Sequence, residues 1–157
     1  MDYDMTCERS KKAMDLFAEG YNCAQAVTLA FADLLPYDEK ALALMSSSFG
    51  GGIGRLREVC GTISGLALVT GILYGYDDPK ANEEKKDHYA RIQEMAKVFE
   101  EENGSIVCRE LLGLSAKHDA PTPEARSDKY YQKRPCKELC GMSAAILDAY
   151  IKEHPYQ

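Results

Sequence analysis

The amino-acid sequence lacks any excess of basic residues. Its 157 positions hold 19 lysines and arginines against 25 aspartates and glutamates, which gives a formal net charge of −6 and a pI near 5.1. Nucleic acids and anionic membranes are both bound through clustered lysine and arginine side chains. We therefore expect no nucleic acid and no membrane among the partners of this protein.

A long hydrophobic run is also missing. The most apolar stretch, Gly61–Tyr74, is interrupted by glycine and polar residues, and it is shorter than the roughly 20 residues that a membrane-spanning helix needs. The first twelve residues contain no apolar segment of the kind found in signal peptides. We therefore expect neither a signal peptide nor a membrane anchor, and we expect a cytoplasmic location.

The alternation of apolar and polar residues that marks β-strands is absent too. Apolar residues instead recur at three- and four-residue steps, the period of an amphipathic helix. This pattern predicts an all-α fold, with one domain over residues 1–157 built as a bundle of about six to seven helices. The predicted helices cover residues 6–18, 23–34, 39–48, 58 or 59 to 74, 79 or 81 to 103, 106–112 and 136–154. The proline-containing stretch 113–134 is predicted to be a long surface loop.

Short polar side chains mark several of the predicted helix starts, because they accept hydrogen bonds from the N–H groups of the first turn. Asp4 or Thr6 is predicted to cap the first helix, Asn22 the second and Asp38 the third. Gly20 is predicted to end the first helix, as glycine often does.

The fourth predicted helix is the most apolar and the richest in glycine, so we expect it at the centre of the bundle. Its glycines form two pairs with four-residue spacing, Gly61/Gly65 and Gly71/Gly75, and each pair lies on one helix face. Glycine costs about 1 kcal/mol against alanine inside a helix, and we therefore expect both pairs to lie against neighbouring helices. The preceding loop lacks the Gly-Lys-Ser/Thr ending of a phosphate-binding loop, which disfavours nucleotide binding.

Cysteine is the residue that the sequence has in abundance, with six in the chain. A reducing compartment disfavours a disulfide framework, so metal, cluster or redox chemistry stands against simple burial in the core. Four of the six fall in the first turn of a predicted helix: Cys23, Cys60, Cys108 and Cys136. The helix dipole and unpaired N–H groups lower the pKa of a thiol at such a position, so we expect Cys60 to be among the most reactive thiols. We predict that the four sulfurs converge, with Cys7 and Cys140 as spare or supporting thiols.

The spacing of the cysteines disfavours several kinds of cysteine site. The Cys-x-x-Cys pair of thioredoxin-like proteins and the Cys-x-x-Cys-His of covalent haem attachment are both absent. The one close pair, Cys136 and Cys140, lies in a helical pattern rather than in a zinc knuckle, which disfavours structural zinc. Iron–sulfur ligation by four separated thiolates remains open.

These motifs resemble those of a family of small bacterial and archaeal proteins, the CGCAxxGCC-motif proteins, which are described as redox-active. Residues 20–26 (GYNCAQA), 49–54 (FGGGIG) and 60–65 (CGTISG) are similar to its first cysteine motif, its glycine loop and its Cys-Gly-Ala-x-x-Gly signature. Cys108 and Cys136 correspond to its third and fourth cysteines, while Thr62 replaces the alanine of the signature. The resemblance implies a prokaryotic helical protein with a redox role for the four cysteines. A related domain in a bacterial cytochrome with an iron–sulfur centre favours the cluster by analogy.

Three functions fit the sequence. The first is an electron-transfer protein in which the four cysteines bind an iron–sulfur or other metal cluster. The second is a metal-free thiol–disulfide redox protein or sensor, and the third is a helical interaction module with structural cysteines. The choice between an oxidoreductase and an electron carrier stays open, as do the redox partner protein and a homodimer. No Ser-His-Asp set is recognisable, and we expect the three histidines at the surface: His88, His118 and His154.

Overall fold

The computed structural model describes residues 1–115 and 118–156 and has the predicted all-α fold. Residues 116 and 117 of the predicted loop, and residue 157, lie outside the described residues. The helices are α1 (Glu8–Glu19), α2 (Cys23–Leu29), α3 (Glu39–Ser46), the single turn α4 (Gly50–Ile53), α5 (Gly61–Tyr74), α6 (Asn82–Asn103), α7 (Cys108–Leu111), α8 (Asp128–Lys133) and α9 (Cys136–Glu153). Short 3-10 turns follow α2 and α3. The described part of the chain contains one isolated β-bridge and no β-strand.

Two of the three predicted helix caps are confirmed. Asn22 forms a reciprocal pair of hydrogen bonds with Gln25 at the start of α2, and Asp38 accepts from the first turn of α3. The cap of α1 is neither Asp4 nor Thr6, because the sulfur of Cys7 accepts from a backbone N–H there. Asp4 instead accepts from Thr6 itself, so its side chain closes the turn before the helix.

The predicted ends of α2 and α3 were wrong, and the short helix α8 was not predicted. α2 ends at Leu29 and α3 at Ser46, and the chain then tightens into the 3-10 turns Ala32–Leu34 and Ser47–Phe49. Such turns are common at helix ends and keep roughly the same apolar spacing, so periodicity does not reveal them. The predicted loop contains α8, which Ser127 caps. Six residues are too few to show a helical period.

Helix α5 lies at the centre, as predicted, but only its first glycine pair is in contact with a neighbour. A Cβ atom on Gly65 would lie 2.7 Å from the carbonyl oxygen of Ala24 in α2, and one on Gly61 would collide with the Cys23 sulfur. The prediction for the second pair was wrong. Gly71 faces open space, and Gly75 meets only the backbone of Gly71 where α5 ends.

The core joins residues from both ends of the chain in one cluster. Phe17 of α1, Leu66 of α5, Phe99 of α6 and Ile146 of α9 all belong to it, and each is at most 2% exposed. Among the residues that the structure describes, no helix combines the length and the apolar character needed to cross a bilayer.

Candidate functional site

A pair of backbone links aligns the starts of α5 and α7. Val59 and Val107 form the isolated antiparallel bridge. Beside it, the N–H of Cys60 donates to Ile106 over 2.8 Å, and the N–H of Cys108 donates to Glu58 over 2.6 Å. The bridge therefore holds Cys60 and Cys108 near each other, diagonally across it, although 48 positions separate them in sequence.

The glycine-rich turn before α5 is folded tightly against the same two segments. Gly52 has a φ of +69°, and a Cβ atom there would lie 2.6 Å from the Glu58 nitrogen and 2.8 Å from the Cys108 Cβ. Three other residues have φ in the left-handed region without being glycine: Ile53, Arg55 and Arg57. Such strain is uncommon for a β-branched residue and is concentrated at functional sites in proteins.

Four thiols surround one cavity of about 410 Å³. They come from four separate segments of the chain and are the four that the sequence singled out: Cys23, Cys60, Cys108 and Cys136. Each stands at the start of its helix, Cys60 as the N-cap of α5 and the other three as first helical residues. All four predicted site cysteines therefore line the same cavity.

The remaining two cysteines lie apart from the cavity wall. Cys140 is fully buried one turn beyond Cys136, and its sulfur lies 3.8 Å from the carbonyl oxygen of Cys23. Cys7 is half-buried at the start of α1, where its sulfur caps the helix. Their places agree with supporting roles.

Two of the four cavity sulfurs have a side-chain hydrogen-bonding partner in the structure. Arg57 donates to Cys108 over 3.5 Å, and the hydroxyl of Thr62 lies 3.2 Å from the sulfur of Cys60. Burial raises the pKa of the other two thiols, and a neighbouring donor partly offsets this rise: the backbone N–H of Gly51 for Cys23 and the hydroxyl of Tyr130 for Cys136. Donors around a sulfur stabilise negative charge on it.

Burial nevertheless dominates the acid–base behaviour of these thiols. It raises the pKa of Cys23 and of Cys60, and it raises the pKa of Cys136 to about 11. Repulsion from Cys23 and Cys108 adds to the rise at both Cys60 and Cys136, which reflects how near the thiols are to one another. The prediction of a dipole-activated Cys60 was therefore wrong for the metal-free protein. Cys60 is only 6% exposed, and the cost of placing a charge there exceeds the help of the helix N-terminus.

Arginine side chains make the cavity positive within an acidic protein. Among the residues that the structure describes, the cavity is lined by one carboxylate, that of Glu124, and by four arginines: Arg55, Arg57, Arg126 and Arg134. Asp119 bonds Arg57 at 2.8 Å. Four guanidinium groups against these two carboxylates leave a net charge of two positives around the thiols.

Sequence reasoning missed these arginines and Tyr130. Arg126 and Arg134 lie in or beside the stretch that was predicted to be a surface loop, and α8 carries Tyr130. Arg126 places its guanidinium 3.8 Å from the ring centre of Phe17 and donates to two backbone oxygens near the end of α1. Nothing in the sequence signals this pairing, because about a hundred residues separate the partners.

The histidines contribute nothing to the cavity wall. His118 and His154 are exposed as expected, but the expectation was wrong for His88, which is 9% exposed on α6. Its imidazole packs edge-on against Tyr76, and burial lowers its pKa.

Within residues 1–115 and 118–156, no three histidine, cysteine, aspartate or glutamate side chains are grouped closely enough to hold one metal ion. The four thiols surround a space instead of meeting at a point.

Fold and site together define a small helical protein with a four-cysteine cavity lined by arginine. The model of a protein family described as "Putative redox-active protein (C_GCAxxG_C_C)" matches residues 21–150. The chain belongs to this family. No curated protein and no solved structure matches the chain at a significant level.

Proposed function

We propose that this protein carries electrons through an iron–sulfur cluster held in the cavity by the thiolates of Cys23, Cys60, Cys108 and Cys136. The observation that carries the proposal is the arrangement of four thiols, from four segments of the chain, around one space. Thiolate sulfur is the ligand that iron–sulfur clusters require, and four such ligands are the usual number. A bound cluster would supply one-electron redox chemistry at this position.

The charge of the cavity wall complements that of such a cluster. A cluster with four thiolates is an anion, and its potential depends on its net charge and on the hydrogen bonds to its sulfurs. The net charge of two positives around the cavity offsets that anion. Hydrogen-bonding partners such as Arg57 and Thr62 would stabilise the ligand sulfurs.

Burial of the thiols favours a metal centre over free thiol chemistry. A raised pKa keeps Cys60 and Cys136 protonated at neutral pH, which makes them slow nucleophiles. Metal binding deprotonates a thiol outright, so the same burial does not prevent ligation.

The test is anaerobic reconstitution of the full chain with iron and sulfide, followed by iron analysis and visible absorption. We expect a coloured protein that dithionite bleaches and air restores. Serine in place of any of the four cavity cysteines should reduce the iron content, whereas Cys7→Ser, the control outside the cavity, should not. Equal iron in all five variants, or an unmodified chain that stays colourless, would exclude the cluster.

One contact favours a second function, metal-free thiol–disulfide exchange. The guanidinium of Arg57 donates to the Cys108 sulfur, and a neighbouring cation is typical of reactive cysteines. Dithiol chemistry predicts a redox-dependent mass change of two hydrogens between two of the four cysteines, with no colour. Mass spectrometry of the metal-free protein after mild oxidation distinguishes it from cluster binding.

A further inference from the structure

Three buried side chains form a hydrogen-bonded chain that ends on one of the cavity sulfurs. Ser143 of α9 donates to the hydroxyl oxygen of Thr62 over 2.9 Å, and that oxygen lies 3.2 Å from the sulfur of Cys60. Ser143 and Thr62 are fully buried, and Cys60 is nearly so. This series of hydrogen bonds thus links α9 to the cysteine site.

The direction of the second hydrogen bond follows from the protonation state of the sulfur. A hydroxyl group has one hydrogen to donate. Ser143 donates its hydrogen to Thr62, which leaves the hydrogen of Thr62 free. Either atom can donate while Cys60 is a thiol, but a deprotonated or metal-bound Cys60 sulfur has no hydrogen, so Thr62 is then the donor.

A comparison within α5 explains why the Thr62 hydroxyl does not turn to the backbone. Thr70 donates to the carbonyl oxygen of Leu66, four residues earlier, which is the common choice for a threonine inside a helix. The equivalent partner of Thr62 would be Glu58, which precedes α5 and whose oxygen accepts from Cys108 instead. The place of Thr62 at the helix start therefore directs its hydroxyl to the sulfur.

We propose that Thr62, held in place by Ser143, is a positioning residue that raises the reduction potential of the cysteine site by donating a hydrogen bond to the sulfur of Cys60. This inference rests on the proposed redox function. A hydrogen bond to a ligand sulfur stabilises the reduced state more than the oxidised one, because the reduced state carries more negative charge. Loss of the bond therefore lowers the potential.

The test compares two variants of the full chain. Thr62→Val removes the hydroxyl and keeps the branched shape, while Thr62→Ser keeps the hydroxyl. Thr70→Val is the matched control, since it removes a buried hydroxyl from the same helix away from any cysteine. In reconstituted protein, we expect the equilibrium constant for reduction to fall about tenfold in Thr62→Val, which is about 59 mV for a one-electron couple. Thr62→Ser and Thr70→Val should stay close to the unmodified chain.

A second measurement needs no cluster. Methyl methanethiosulfonate, a small neutral reagent, is applied to the metal-free reduced protein without oxygen, and modification of Cys60 is followed by peptide mass spectrometry. We expect Cys60 to react about threefold more slowly in Thr62→Val than in Thr62→Ser. Loss of the hydrogen bond lowers the fraction of Cys60 that is thiolate, and the higher nucleophilicity of the remaining thiolate offsets this only in part.

The two measurements separate this inference from the proposed function. If no cluster forms, the cluster function fails, and the labelling comparison still decides the role of Thr62. Equal labelling of Cys60 in the two Thr62 variants, whether rapid or absent, overturns the inference. In reconstituted protein, equal potentials in these variants would overturn it as well.

Discussion

Arg57 donates a hydrogen bond to the sulfur of Cys108 over 3.5 Å. The same guanidinium group bonds the carboxylate of Asp119 at 2.8 and 2.9 Å, and Arg57 is only 5% exposed. Asp119 begins a segment whose members Pro121, Pro123 and Glu124 line the cavity. One buried arginine therefore joins the cysteine site to the segment that covers it.

We predict that Asp119→Asn loosens this cover. The variant removes the charge that holds Arg57, so both the segment and the guanidinium on Cys108 lose an anchor. In the metal-free protein, Cys108 should react several-fold faster with a thiol reagent than in the unmodified chain. Asp33→Asn is the control, because it breaks an ion pair with Arg9 away from the cavity, and it should leave the Cys108 rate unchanged. A Cys108 rate that is the same in both variants would contradict the role given to Asp119.

This coupling has a defined pH dependence. The hydrogen bond from Arg57 holds the pKa of Asp119 below its usual value of 3.8. A group with a lowered pKa stabilises the fold fully above its ordinary pKa and loses that contribution as the pH falls through the lowered value. The effect of Asp119→Asn should therefore be constant from pH 5 to 8, and the unmodified chain should approach the variant only below about pH 4. The ratio of the Cys108 labelling rates in the two chains, measured at each pH, would test this, because the titration of the thiol itself affects both chains alike.

The two glycine positions on α5 predict opposite changes in stability. Gly65→Ala places a methyl group 2.7 Å from the Ala24 carbonyl oxygen, which cannot move without shifting α2. It should lower the free energy of unfolding by about 1–3 kcal/mol. Gly71→Ala meets open space and should raise that free energy by about 0.5–1 kcal/mol, because alanine loses less conformational entropy in a helix. Urea unfolding of the metal-free proteins tests both, and a stabilised Gly65→Ala would refute the close helix contact.

The order of thiol reactivity is a further prediction for the metal-free protein. Cys7 is half-buried at a helix start, whereas Cys140 is fully buried with its pKa raised well above the ordinary value by burial. Cys7 should label first and Cys140 last in a time course at pH 8 that peptide mass spectrometry resolves. Early labelling of Cys140 would mean that the packing between α2 and α9 opens easily.

Tyr130 should affect one thiol only. Burial raises the pKa of Cys136 to about 11, and the Tyr130 hydroxyl partly offsets this rise. Labelling of Cys136 should therefore increase with pH up to about 11, and Tyr130→Phe should slow it at every pH below that. Tyr131→Phe is the matched control, since Tyr131 also packs against Phe17 but does not line the cavity. Equal slowing in the two variants would indicate a packing effect instead of a hydrogen bond.

The helices and their starts could be read from the sequence because they depend on local chemistry. The caps at Asn22 and Asp38 and the stop at Gly20 act over three or four residues, and all three are confirmed. The position of the cysteines at helix starts follows from the same local signals. Their convergence could be expected for that reason, together with the family resemblance.

Two predictions that relied on local chemistry alone were wrong. Local chemistry predicted a reactive Cys60 because the helix N-terminus favours a thiolate. It predicted a close contact at Gly71 because Gly61 and Gly71 look alike in sequence. Desolvation raises the pKa of Cys60, and no neighbouring atom lies close to Gly71. Both results depend on residues that are distant in sequence, which a local pattern does not identify.

The sequence by itself determined the all-α class, most helix boundaries and the four cysteines of the site, since short-range periodicity and capping encode them. Only the tertiary structure decided what surrounds those cysteines. The bonds from Arg57 to Asp119, from Ser143 to Thr62 and from Arg126 to the end of α1 join residues 62 to 109 positions apart. Contacts over such distances arise from the packing of whole helices, and no local pattern records them.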